Sequence, residues 1–125
     1  MTAGADRTPE LRRLTKRAQF LNAARGKRAG RTAFTLQGIA ATEAAPGLGF
    51  TVIKKTGNSP ERNRIRRRLR EAARACATAF RPQHDYVLVG RREALSRKFT
   101  DIVADLNSAL RKLHAEPGAS GTTRP

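Results

Sequence analysis

Residues 49–71 read GFTVIKKTGNSPERNRIRRRLRE and combine an extended segment, a turn and the start of a helix. The β-branched and aromatic side chains at its beginning predict a strand over residues 48–54. A Gly-Asn pair ends the strand, and the triplet Ser59-Pro60-Glu61 predicts a helix start, with the Ser59 hydroxyl as its cap. The helix is expected to end near residue 79, because an Arg-Pro pair follows.

The predicted helix has two unlike faces when its residues are placed at 100° intervals. The apolar face consists of Ile65, Leu69, Ala72, Ala73, Cys76 and Phe80. The opposite face and its flanks consist of Asn63, Arg64, Arg66, Arg67, Arg70 and Arg74. Arginines three and four apart repel each other by a few tenths of a kcal/mol, roughly, so this face favours a bound polyanion.

The whole chain carries the same excess of positive charge, with 26 Lys and Arg against 10 Asp and Glu and a net charge of +16. Self-repulsion opposes compaction, so such an excess indicates a polyanionic partner, with nucleic acid first and an anionic membrane surface second. The membrane is the weaker alternative, because the apolar face is largely Ala and Cys. A solvated surface helix is a further alternative, but solvated helices normally mix charge signs. We expect no DNA partner, since no pair of recognition helices is evident.

Other elements follow from periodicity along the rest of the chain. Helices are predicted over residues 16–25 and 94–114, a half-buried strand over 32–39, and a strand buried on both faces over 85–90. The basic stretch 25–31 contains two glycines and predicts a turn or loop.

The element order predicts an α+β fold, a two-layer α-β sandwich with helices against one sheet. Within residues 32–39, Phe34 and Leu36 lie on one side of the strand and Thr35 and Gln37 on the other. A short linker joins this strand to the next one, which favours an antiparallel pair.

One domain is predicted over residues 14–114, between a loose arm at 1–13 and a disordered tail at 115–125. The single cysteine, Cys76, excludes an internal disulfide and is typical of a small buried apolar residue. No apolar run is long enough for a bilayer, and the first residues lack a signal-peptide core, so we expect a soluble cytoplasmic protein.

The chain offers no catalytic motif, so no catalytic residue is predicted. Asp101 and Asp105 lie one helical turn apart and could share a metal, but such pairs are more often a solvated helix face, and no metal site is predicted. His84 and His114 have no evident partner in the sequence and are expected at the surface.

The stretch 49–71 closely resembles the signature of the bacterial ribonuclease P protein family, in which a strand and a Lys-Lys-x-Gly-Asn turn precede a helix that opens with Arg-Asn-Arg. Residues 14–20, LTKRAQF, resemble the first helix of that family. Residues 84–91, HDYVLVGR, resemble its last strand. The similarity covers about residues 14–113.

The resemblance implies a fold with a left-handed βαβ crossover through the Arg-Asn-Arg helix, as in one domain of a ribosomal protein. It also implies the function of a protein subunit of ribonuclease P, the endoribonuclease that removes the 5′ leader of precursor tRNA. The implied partners are the catalytic RNA subunit and precursor tRNA. The RNA subunit carries out the hydrolysis and requires Mg²⁺, and no cofactor is expected on the protein itself.

The resemblance further implies two sets of binding residues. The set facing the RNA subunit is Lys54, Lys55, Arg62, Asn63, Arg64, Arg66, Arg67, Arg68 and Arg70. The set facing the single-stranded leader is Lys16, Arg17, Phe20, Phe34 and Leu36. The alternative for Phe20 and Phe34 is packing in the core. This chain has Ala24 and Gln37 where the family often carries aromatic side chains.

Two other functions share parts of this pattern. A structural RNA-binding protein of the ribosome would have the same size, charge and combination of sheet and helices. A protein that degrades RNA on its own would need an acid/base constellation, which the sequence does not present.

Overall fold

The computed structural model describes residues 11–115, which form a mixed five-stranded sheet and three α-helices. The strands are β1 (Arg12–Arg13), β2 (Lys27–Gly30), β3 (Phe34–Ala40), β4 (Gly47–Thr51) and β5 (His84–Gly90). The helices are α1 (Arg17–Ala24), α2 (Ser59–Ala75) and α3 (Phe99–His114). Single 3-10 turns occupy Lys54–Thr56, Ala77–Ala79 and Arg92–Leu95. Residues 1–10 of the arm predicted at 1–13 and residues 116–125 of the tail predicted at 115–125 lie outside the described residues.

The strand order is β1-β4-β5-β3-β2, which places β5 at the centre, parallel to β4 and antiparallel to β3. Tyr86, Val87 and Leu88 are buried, so the prediction of a strand covered on both faces is confirmed. The predicted antiparallel pairing of β3 with β4 was wrong, because β5 lies between them. A continuous apolar strand buries the most apolar surface at the centre of the sheet, where it has neighbouring strands on both edges. Strands β4 and β5, with α2 between them, form a parallel βαβ unit.

Both outer strands were missed in the sequence. Arg12 and Arg13 pair in parallel with Gly47 and Leu48, so the last residues of the predicted arm belong to the sheet. The stretch predicted as a loop contains β2, which pairs antiparallel with β3. Its single buried side chain is Ala29. A charged edge strand with one small inward residue gives no alternation of apolar and polar side chains that periodicity could detect.

The main core lies between the sheet and helices α2 and α3. The sheet contributes Phe34, Leu36, Tyr86 and Leu88, which have no exposed area. The helices contribute Ile65, Leu69, Ile102 and Leu106, which are equally buried. Full burial of each such side chain stabilises the fold by about 1.5–3 kcal/mol, which fixes the apolar face of α2 against the sheet.

Helix α1 covers part of the opposite sheet face through a smaller apolar cluster. Leu14, Ala23 and Val87 are buried there, and Phe20 packs against them while remaining partly exposed. The carboxamide of Gln19 accepts hydrogen bonds from the backbone N–H groups of Thr15 and Lys16 and so satisfies two donors at the start of α1.

The cap of α2 is Asn58, so the prediction of Ser59 was wrong by one residue. Asn58 Oδ1 accepts from the Glu61 N–H at 2.9 Å, and Glu61 Oε1 accepts from the Asn58 N–H at 2.9 Å. This reciprocal arrangement needs a Glu or Gln three residues after the cap, and Glu61 has that spacing from Asn58 and not from Ser59. Hydrogen bonds from Arg92 and from the Asn58 backbone lower the pKa of Glu61 to about 2.

The C-terminal end of α3 is anchored to β5 by a cluster of rings. Tyr86 O–H lies 2.6 Å from His114 Nε2, and the Tyr86 oxygen accepts from the Arg81 N–H at 3.0 Å. His84 meets the His114 ring edge-on at 4.8 Å between centroids. Burial, together with the charges of Arg81, His84 and Lys27, lowers the pKa of His114 to about 4. The expectation that His114 lacks a partner was therefore wrong.

Acidification should weaken the fold through His114. The unfolded chain takes up this proton near pH 6.5, whereas the folded chain takes it up only near pH 4, so the free energy of unfolding falls as the pH falls between these values. Because His114 is partly solvated, the loss between pH 7 and pH 5 should be of the order of 1 kcal/mol. Urea unfolding at both pH values measures it.

A His114→Asn variant is the control, because it removes the titrating ring and keeps a polar side chain. Its free energy of unfolding should depend less on pH over the same interval than that of the unsubstituted chain. Parallel pH dependences for the two proteins would contradict the role assigned to His114.

Candidate RNA-binding surfaces

Helix α2 presents its basic side chains on two flanks. One flank, here called the outer flank, consists of Ser59, Pro60, Asn63, Arg64, Arg67 and Arg68. Arg66, Arg70 and Arg74 lie on the other flank and face the sheet edge at β4. The predicted RNA-subunit set is thus divided between two surfaces.

Two arginines of the predicted set also hold the backbone around α2. Arg62 donates to the Gly57 carbonyl at 2.6 Å and to Ser59 Oγ at 3.1 Å. Arg68 donates to the Arg97 carbonyl and so ties α2 to the segment before α3. The bonds of Arg62 fix the turn before α2, and the bond of Arg68 holds α2 against the segment before α3. Each arginine thus uses part of its guanidinium within the protein.

The remaining cations near the outer flank are available to a ligand. Arg64 and Arg67 are exposed and make no hydrogen bond or ion pair with any of residues 11–115. Lys54 and Lys55 are exposed on the 3-10 turn that precedes α2. The Thr56 carbonyl of that turn accepts from Arg92 at 3.1 Å, which holds the turn against the start of α2.

A groove of about 850 Å³, here called the β4 groove, separates α2 from the N-terminal strand. Its lining is Leu11, Arg12, Arg13, Leu14, Thr15, Phe20, Leu48, Gly49, Phe50, Arg66, Arg70, Ala73, Arg74 and Ala77. Arg12 forms an ion pair with Asp85 at 2.6 Å and donates a hydrogen bond to the Ala45 carbonyl at 2.6 Å. The groove thus combines an apolar floor with arginines along its rim.

A second cavity, here called the α1 cleft, has a volume of about 550 Å³ and lies between α1 and the sheet. Its lining is Thr15, Arg17, Phe20, Leu21, Ala24, Gln37, Phe50, Thr51, Val87 and Val89. The predicted leader residues Arg17 and Phe20 line this cleft, and Lys16 is exposed immediately before α1.

Phe34 and Leu36 do not line the α1 cleft, which corrects their predicted place. Both side chains have no exposed area and point to the opposite sheet face, against α2 and α3. Side chains alternate along a strand, so the cleft side of β3 carries Thr35 and Gln37. The alternation was visible in the sequence, and the apolar side had to be the core side.

Sequence reasoning also missed the contribution of the N-terminal strand and of β4. Arg13 and Phe50 line the β4 groove, and Arg12 holds the strand that forms one of its walls. No local pattern indicated this, because two residues form β1 and their partners are more than thirty positions away.

Gly49 allows α1 to approach the sheet. A Cβ at this position would lie 2.7 Å from two ring atoms of Phe20, so glycine is needed where the ring crosses β4. The Phe20 ring therefore lies directly on the backbone of the sheet, at the junction of the α1 cleft and the β4 groove.

The acids of the described residues do not gather into a metal centre. Among residues 11–115, no group of three or more His, Cys, Asp or Glu side chains is close enough together to hold an ion. Asp105 forms an ion pair with Arg97 at 2.6 Å. No helix in the described part of the chain is long and apolar enough to cross a membrane.

Comparison with known proteins identifies the family. A family model described as Ribonuclease P matches residues 8–114. The chain belongs to the ribonuclease P protein family. The ribonuclease P protein component of Ruegeria pomeroyi is 47% identical over 107 residues, covering 82% of this chain and 86% of that relative. The one of Caulobacter vibrioides is 40% identical over 123 residues, covering 96% and 83%.

The fold agrees with this assignment. The ribonuclease P protein of Thermotoga maritima superposes with a TM-score of 0.68 at 25% identity, covering 85% of this chain and 98% of that one. The predicted family and the α+β fold class are confirmed. Ribonuclease P proteins are components of the endoribonuclease complex that matures the 5′ end of tRNA, in which the RNA carries the catalysis.

Replacing Gly49 should disturb the packing of α1. A Gly49→Ala variant forces the Phe20 ring away from β4, and we expect the free energy of unfolding to fall by about 1–3 kcal/mol. Gly30→Ala is the matched control, since no atom lies within 4 Å of an added Cβ there. Urea unfolding measures both variants. Equal free energies of unfolding for the two would contradict the packing role assigned to Gly49.

Proposed function

We propose that the outer flank of α2 and the Lys54–Thr56 turn bind phosphates of the ribonuclease P RNA, and that the α1 cleft holds the 5′ leader of precursor tRNA. The protein then acts by charge and position, while the RNA carries out the hydrolysis with Mg²⁺. The single observation that carries the proposal is the division of α2 into a buried apolar face and an exposed basic face, on which Arg64 and Arg67 have no ion-pair partner among residues 11–115.

The chemistry of the outer flank suits a folded RNA. Arginine donates two parallel hydrogen bonds to one phosphate, and its guanidinium remains charged at any physiological pH. Arg64 and Arg67 are three residues apart and face solvent, so they repel each other in the free protein. A phosphate between them converts that repulsion into attraction.

The α1 cleft suits a single strand. Phe20 offers a partly exposed ring, Arg17 supplies charge, and Gln37 and Thr51 add hydrogen-bonding groups on the sheet side. Stacking of one base on an aromatic ring is worth about 1–3 kcal/mol and requires no particular base. Such a cleft would add affinity for leaders of many sequences. We place the complex in the cytoplasm, as the sequence predicts.

Neutralised phosphates should reduce the Mg²⁺ that the RNA needs. We expect the protein to stimulate cleavage of precursor tRNA by its cognate RNA strongly at low Mg²⁺ and weakly at high Mg²⁺. The measurement is the single-turnover rate across a Mg²⁺ series with and without protein. Equal rates at every Mg²⁺ concentration would refute the proposal, and cleavage by protein alone would support the RNA-degrading alternative.

The paired substitution Arg64→Ala/Arg67→Ala should weaken binding to the RNA subunit and change its salt dependence. If the protein neutralises six to eight phosphates, log K falls with log salt with a slope of about −4 to −7. Losing two phosphate contacts should make that slope shallower by about 1–2. Filter binding over a series of salt concentrations measures it.

Arg111→Ala/Lys112→Ala is the matched control for this prediction. Both side chains are exposed in the last turn of α3, so the pair removes the same charge from another part of the surface. The control should keep the original slope. An unchanged slope in Arg64→Ala/Arg67→Ala, or an equal change in the control, would count against a specific phosphate role for the outer flank.

A further inference from the structure

Phe50 lies on the border between the α1 cleft and the β4 groove and lines both of them. Strand β1 pairs with β4 only at Gly47 and Leu48, so among residues 11–115 no strand covers the sheet edge beside Phe50. The side chain packs partly against the main core and stays half-exposed. An aromatic ring is thus presented at an open sheet edge where two cavities meet.

Arg70 holds a charge over this ring. Its guanidinium carbon lies 5.5 Å from the Phe50 centroid, within the range of a cation–π contact. Arg70 has no ion-pair partner among the described residues, and Arg66 lines the same groove one turn earlier. Arg66 donates one hydrogen bond to Asn63 Oδ1 at 3.0 Å, and neither arginine has an ion pair among the described residues. An aromatic surface beside such guanidinium groups matches the two parts of a nucleotide, the base and the phosphate.

The lining of the α1 cleft is poor in aromatic side chains, which makes a second ring beside the cleft important for stacking. Ala24 and Gln37, which face the cleft, carry no aromatic surface. Within the described lining of the cleft, Phe20 on α1 supplies the aromatic ring on the cleft face, whereas the ring of Phe50 lies on the side of β4 that faces α2. The Phe20 ring lies on the backbone of β4 at Gly49, and the Phe50 ring lies at the next residue on the other side of the strand, so the open sheet edge is the path from one ring to the other.

We propose that Phe50 is a stacking platform for one unpaired base of the precursor-tRNA leader, and that Arg70 holds the ring and neutralises the adjoining phosphate. The base occupies the ring surface that Phe50 contributes to the β4 groove. The leader then continues from Phe20 over the sheet edge into the β4 groove, where Arg66 and Arg70 accompany its backbone. This inference depends on the proposed leader-binding role of the α1 cleft.

The test uses the reconstituted complex of RNA subunit, protein and precursor tRNA, with the fluorescent base 2-aminopurine placed at one leader position at a time. Stacking quenches this base. We expect one leader position whose quench is present with the unsubstituted protein and with Phe50→Tyr but lost with Phe50→Leu. The affinity for that substrate should fall about five- to tenfold in Phe50→Leu, as expected for partial loss of a stacking contact.

Phe99→Leu is the matched control, because Phe99 is an exposed phenylalanine at the start of α3, 41% accessible to solvent. It should leave both the quench and the affinity unchanged. Arg70→Lys should keep most of the affinity at low salt while shifting the quench, since a lysine retains the charge but offers no planar group. Folding of each variant is checked by its circular dichroism spectrum and its RNA-subunit affinity.

The outcomes separate this inference from the proposed function. If folded Phe50→Leu keeps the quench at every leader position, the stacking role of Phe50 is wrong. If Phe20→Leu and complete removal of the leader also leave the affinity unchanged, the leader-binding role of the α1 cleft is wrong as well. If Phe20→Leu weakens binding and Phe50→Leu does not, only the role of Phe50 is overturned.

Discussion

Strand β5 is covered on both faces and paired along both edges, and the other described elements take their positions from it. Tyr86 and Leu88 are fully buried on the side of α2 and α3, whereas Val87 is buried on the side of α1. Among the strands of residues 11–115, β5 is the central one. Because β5 separates β3 from β4, one sheet can present a cleft on one face and support a basic helix on the other.

Helix α2 carries an apolar face that anchors it to the sheet and a basic face whose charges repel one another. Ile65 and Leu69 anchor it with large apolar side chains, and Ala72 and Ala73 let its second half lie close to its neighbours. The opposite side can then carry closely spaced arginines. The energy from burial offsets the repulsion between their charges, so the folded protein holds this basic surface in place.

The sequence predicted the central elements because their signals are local. The cap region of α2, its two faces and the apolar run of β5 each lie within one short window, and all three agree with the structure to within a few residues. The outer strands β1 and β2 were not predictable in this way, since their residues become strands only through pairing with distant segments. Phe20 lines the α1 cleft, whereas Phe34 and Leu36 are buried on the other side of β3, in the core. The sequence did not predict the contact of Phe50 with Arg70 or the ion pair of Arg12 with Asp85, because each joins residues that are distant in the chain.

The ion pair between Arg12 and Asp85 has a consequence for how the chain is made. During synthesis Arg12 leaves the ribosome long before β4 and β5 exist, and β1 can pair only when Gly47 and Leu48 are in place. Strand β1 is translated before the strand it pairs with and is therefore among the last to dock. Until Asp85 has been synthesised, Arg12 lacks its carboxylate partner, so this ion pair can form only after β5 has been made.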